Sequence, residues 1–199
     1  FAERWHQRYR NAGAVSAEEL QNLWGRLLAG ELKSPGRFSL RTLEFLKNLS
    51  SQEAIEIARL SPFVISDFVV RDDALLDPEG ITFGYLLGLQ QLGVASGVEA
   101  ISLQVTLKSM VPERFVRALV SHGNALIVTA EDRSKEIKLP IYQLTSIGRQ
   151  LFRLGTFEPN ERYLRAVGEK VRGQGFDVQL ARWRTLTETE GQYFDAQPL

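Results

Sequence analysis

Ala125-Leu-Ile-Val-Thr-Ala-Glu-Asp-Arg-Ser-Lys-Glu-Ile-Lys-Leu139 decides how the second half of the chain is read. Ala125–Ala130 is apolar and rich in β-formers, Lys135–Leu139 carries strand character, and Glu131–Ser134 between them is wholly polar. That pattern predicts two strands around a turn. Upstream, Ile81–Leu92 reads as a helix stopped at Gly93, Ile101–Lys108 alternates like a strand, and Pro112–Ser121 reads as a helix with proline at a tolerated early position. Downstream, Thr145–Leu154 and Asn160–Arg172 read as helices and Phe176–Trp183 as a strand, and the tail beyond Thr185 is polar with no element assigned.

The first half reads as helical. Ser16-Ala-Glu-Glu19 is a capping box, followed by the stripe Leu20, Leu23, Trp24, Leu27 and Leu28 at helical spacing. Ser34-Pro35-Gly36 ends that helix. A second helix is expected from Ser39 to about Asn48, and a third from the capping box Ser50-Ser-Gln-Glu53. Phe63–Val70 suits a short strand or buried segment, and the acidic stretch Arg71–Gly80 reads as a loop and domain boundary.

One charge sits where a helix should be dry. Glu31 follows Trp24 by seven residues and Leu27 by four, which returns it to the apolar face. A lone buried carboxylate costs several kcal/mol, roughly, so it needs donors. The helix starting at Ser39, bracketed by Arg37 and Arg41, supplies them. A structural brace of Glu31, Ser39, Arg41 and Trp24 is therefore expected, with catalysis at Glu31 as the alternative. No second carboxylate, histidine or nucleophile lies at matching spacing, so no catalytic residue is assigned.

Composition narrows the rest. The 199 residues hold 44% apolar and 24% charged residues, enough apolar content for a packed core. There is no cysteine, which removes thiolate chemistry and disulfides, and His6 and His122 are too few for a multi-histidine metal site. No metal and no cofactor is expected. No apolar run approaches a membrane helix, since Pro62–Val70 is short and broken by Asp67, and no signal peptide is read, so a cytoplasmic protein without membrane contact is expected.

The stretch Trp24-Gly-Arg-Leu-Leu-Ala-Gly-Glu-Leu32, followed by Pro35-Gly-Arg-Phe-Ser-Leu-Arg-Thr-Leu43, resembles the core motif of a bacterial family of uncharacterised proteins. It is more distantly similar to the abortive-infection alpha proteins of phage defence. That likeness implies a bacterial cytoplasmic protein and an association with defence, without a chemistry. In the second half, Leu86–Val94 resembles the end of a winged-helix recognition helix, Ala125–Leu139 a wing, and Tyr142-Gln-Leu-Thr-Ser-Ile-Gly-Arg-Gln-Leu151 the exit of such a domain. Arg133, Lys135 and Lys138 would then be the nucleic-acid contacts. Against DNA stand the 24 acids that balance 24 bases, a recognition helix without Lys or Arg, and Asp72, Asp73, Asp77 and Glu79 just before it.

The expectation is an α+β, mainly helical chain: a helical module over 1–75, a winged-helix-like module with a small antiparallel sheet over 76–158, and a helix–strand appendage over 159–199. The expected function is a non-catalytic interaction or regulatory module that binds another protein or a second copy of itself. A winged-helix nucleic-acid-binding regulator is the alternative.

Overall fold

A computed structural model describes Gly25 and residues 38–154, 157–187 and 190–199. Its first described helix, α1 (Leu40–Asn48), starts where Ser39 accepts the Thr42 N–H at 3.1 Å. It sends Leu46 and Thr42 into the core and leaves Leu40 73% exposed. The next helix, α2 (Ser51–Leu60), carries the capping box read from the sequence: Ser50 N–H donates to Glu53 Oε2 at 2.8 Å and Glu53 N–H to Ser50 Oγ at 3.2 Å. A 3-10 turn (Ser61–Phe63) leads to β1 (Phe68–Val70), buried along its length. The acidic stretch that follows is helical rather than a loop, with α3 (Asp73–Leu76) and a 3-10 turn (Asp77–Glu79).

Then come α4 (Phe83–Gln91), β2 (Ala95–Ser96) and β3 (Gln104–Leu107). Next are β4 (Phe115–Ser121), β5 (Asn124–Ala130) and β6 (Ile137–Leu144). The chain finishes with α5 (Ser146–Leu154), α6 (Glu161–Arg172), β7 (Asp177–Thr185) and β8 (Gly191–Pro198).

These strands make two antiparallel sheets. In the first, β6 is central: β1 lies on one edge (Val70 opposite Ile141), while β2 and β3 share the other (Ser96 opposite Gln143, Val105 opposite Leu139). Proline is rare in a central strand because it gives the ladder no N–H. Pro140 is tolerated in β6 because its carbonyl accepts Arg71 N–H at 2.8 Å just past the end of β1, so the missing bond falls where that strand has stopped. The second sheet runs β4-β5-β7-β8. A single core cluster takes side chains from both sheets and from α1, α2, α4, α5 and α6, among them Leu46, Leu89, Leu126, Leu139, Leu151 and Val167.

This architecture corrects the expected fold class. Among the described residues, six α-helices and eight strands contribute about equally, so the chain is not mainly helical. The sheet is not small and not single. The wing is overturned by pairing: β5 bonds to β4 and β7, β6 bonds to β1, β2 and β3, and the two strands read as a hairpin lie in different sheets. Pro112–Ser121 is no helix either. Phe115, Leu119 and Ser121 are buried on one side of β4 at a period of two, and a strand buries them together where a helix would scatter them.

Among the described residues no helix is long and apolar enough to cross a membrane.

Candidate interaction surface

The polar tail beyond Thr185 contains a strand, β8, and with β7 it forms the least covered part of the described structure. Strand β7 alternates strictly at first: Val178 and Leu180 enter the main core under α6, and Ala181 sits on the other face with Ala125 and Ile127. Beyond Ala181 the strand runs outward and its residues become exposed. A turn closed by Leu186 N–H and Thr187 N–H to the Glu190 carbonyl, both at 3.0 Å, returns the chain as β8.

Cross-strand register places Trp183 opposite Tyr193, Arg184 opposite Gln192 and Arg182 opposite Phe194. Directly opposed residues share a face, so Trp183 and Tyr193 lie on one side and Arg182 and Phe194 on the other. Trp183 packs against Gly191, where a Cβ would collide with the indole, and its Nε1–H donates to Thr185 Oγ1 at 3.2 Å. Arg182 donates to the buried Asn124 side chain at 3.0 Å, and Arg184 is exposed. Tyr193 is 48% and Phe194 47% exposed, with Leu186 also exposed at the turn.

Register slips between Leu180 and Arg182, where β8 carries the additional residue of a bulge. Asp195 stands in that bulge with φ of 52°, a left-handed conformation that Asp tolerates better than most side chains. Among the described residues strand β8 pairs only with β7, and its outer edge has no strand partner there. Such an edge is a template for another strand, and the bulge, Asp195 and Pro198 are the kind of features that blunt it.

The expected site residues fall elsewhere. Glu31 and Trp24 lie outside the described residues. Ser39 caps α1, and its own N–H donates to Gln150 Oε1 of α5 at 3.2 Å; Arg41 is exposed on α1. Arg133 Nε donates to the Val111 carbonyl at 3.3 Å. Lys135 donates to the Gly175 carbonyl and lies 5.1 Å from the Phe176 ring centroid. Lys138 lies 4.0 Å from Glu136, and its backbone is clasped by Gln174 through bonds of 3.0 and 2.9 Å. Arg133 and Lys135 thus tie the β5–β6 connection to the β3–β4 loop and the α6–β7 turn, while the Lys138 backbone fastens β6 to the same turn through Gln174. Among the described residues no group of three His, Asp or Glu side chains is placed to hold a metal ion. A hollow between Ala74, Pro78, Asn160 and Tyr163 has room on the order of one water molecule.

Sequence reasoning missed β8 because Gly191, Gln192, Asp195, Gln197 and Pro198 are poor strand formers. The signal that could have found it is Tyr193-Phe194 inside a polar segment, since both are strand-forming residues.

Residues 2–77 match a sequence family described as "Protein of unknown function (DUF2806)". Neither a curated protein nor a solved structure matches the chain. The amino-terminal part, which includes α1, α2 and β1, is therefore similar to an uncharacterised domain family.

Proposed function

We propose that this protein is a non-catalytic interaction or regulatory module whose contact surface is the β7–β8 hairpin. The observation that carries this reading is an eight-residue strand whose outer edge is unpaired among the described residues, with two half-exposed aromatics, Tyr193 and Phe194, on opposite faces. Aromatic side chains supply much of the energy of protein contacts, because they bury large areas at low entropic cost. The partner is another protein or a second copy of the chain, in the cytoplasm. The likeness of Trp24–Leu43 to abortive-infection alpha proteins supports a place in bacterial phage defence, testable as plating efficiency with and without the gene.

The hairpin reading is tested with the double variant Y193A/F194A beside the wild type. Each is assayed by sedimentation velocity for self-association and by quantitative pull-down from a bacterial lysate, with thermal melts as the folding control. A complex formed by the wild type and lost at least tenfold in the folded variant supports the reading. Equal recovery by both sinks it. Binding to duplex DNA at micromolar affinity or tighter, falling steeply with salt, would replace it with a nucleic-acid role.

A further inference from the structure

Strand β4 buries one side against the core, with a single exception. Phe115, Leu119 and Ser121 are buried on that side, and the alternation of the strand places Arg117 between them. Across the ladder from Arg117 stands Val128, which is fully buried. A guanidinium on the core side of a strand is expected to grip a carboxylate. The Arg117 side chain grips none: no ion pair or cation–ring contact among the described residues includes it. Among the described residues its Nε is the one buried side-chain nitrogen or oxygen without a hydrogen-bond partner.

Buried polar atoms are almost always partnered, so this exception calls for an explanation. Arginine cannot escape by giving up its proton. Burial weakens the hold of the guanidinium on that proton, and no carboxylate among the described residues offsets the effect. The residue is partly exposed and its Nη groups are not among the buried atoms, so the fork reaches solvent while Nε stays behind it. An acceptor on the fork neutralises the charge that Nε shares, because the guanidinium charge is delocalised.

The neighbouring backbone limits the size of such an acceptor. On the outer edge of β4, Val116 accepts Met110 N–H at 2.9 Å and donates to Ser109 Oγ at 3.1 Å. Val120 accepts Ser66 N–H at 2.6 Å and donates to Ser66 Oγ at 3.3 Å. Ala118, between them, has no partner on that edge among the described residues. A strand needs a longer run of open edge, whereas one small group does not.

We propose that Arg117 anchors a binding site for a single small oxyanion, a phosphate or carboxylate group held end-on by its two Nη groups. The fork of donors on a guanidinium matches the paired oxygens of both groups. The site lies on the opposite edge strand of the second sheet from β8, so it stands or falls independently of the β7–β8 hairpin.

The test is the thermal melt of the full chain and of R117M in chloride, inorganic phosphate and acetate, each on the order of 20 mM at matched ionic strength. Relative to chloride, the bound anion should raise the wild-type melting temperature by about 3–6 °C at a roughly tenfold excess over its dissociation constant, and leave R117M unmoved. A rise with one anion alone assigns the phosphate or the carboxylate, and a rise with both supports the shared oxyanion chemistry. An equal rise in R117M overturns the inference, as does no rise with either anion. Should R117M fail to fold, the Arg117 Nε–H resonance of the wild type decides. It moves saturably with the bound anion, or it stays fixed in both and the site is ruled out.

Discussion

Gly148 sits on α5 where a Cβ would run into the Val94 carbonyl oxygen, and a backbone atom cannot swing aside as a side chain can. The same carbonyl accepts Thr145 N–H at 3.0 Å, so it is held by the residue that caps α5. Gly148→Ala should destabilise by about 2–3 kcal/mol despite alanine's better helix propensity, measured by urea unfolding. Tyr163 makes the complementary case. Its hydroxyl is buried, donates to the Val70 carbonyl at 2.9 Å, and is pushed well above the ordinary phenol range by burial. Tyr163→Phe keeps the edge-on packing against Phe63 and leaves a carbonyl unsatisfied, so a loss of about 1–2 kcal/mol is expected from the same assay. Neither contact could be read from sequence, because Gly148 and Tyr163 meet partners 54 and 93 residues away.

At the scale of elements, local chemistry is the legible part. Ser50 and Glu53 announce α2 by spacing alone, and the structure closes both capping bonds. The Ser50 hydroxyl and N–H hold the Glu53 carboxyl below its ordinary range. The cap's contribution is therefore present above about pH 4.5 and lost as pH falls through the lowered value. Ser50→Ala should cost about 1 kcal/mol at pH 7, and less at pH 3; thermal melts at the two pH values check it. Helices α4, α5 and α6 are likewise visible in their caps at Thr82, Thr145 and Asn160. The β4 segment is not: Val111-Pro-Glu-Arg-Phe-Val-Arg-Ala-Leu-Val-Ser121 suits a helix by its proline and charges and a strand by its alternation. What decides the matter is β5, to which β4 is paired along its whole length by a two-residue turn. The hairpin surface is hidden for a related reason, since β8 exists only because β7 offers it an edge.

Across the whole molecule, local signals cannot report which strand lies beside which. Nothing in Lys135–Leu139 says that it turns away from Ala125–Ala130 to join Gln104–Leu107, with Phe68–Val70 pairing just beyond it on β6, and that one choice separates two sheets from a wing. It also sets what a fragment can do. Residues 1–80 contain β1 but lack β6, the strand it pairs with among the described residues, and lack the core residues that follow residue 80. This fragment should give no cooperative thermal transition and no dispersed amide spectrum for Phe68–Val70, whereas the full chain gives both; a sharp transition in the fragment would count against a shared core.

The central place of β6 reaches back to synthesis. A ribosome adds about 5–20 residues per second, so Val70 emerges on the order of ten seconds before Ile141, the neighbour it must pair with. Through that interval Phe68, Val69 and Val70 travel as a naked, sticky β-segment, and closing so long a loop makes their capture slow. Shielding of that segment is then expected to matter, and the yield in the cell should track chaperone supply and translation speed more closely than the stability of the finished fold.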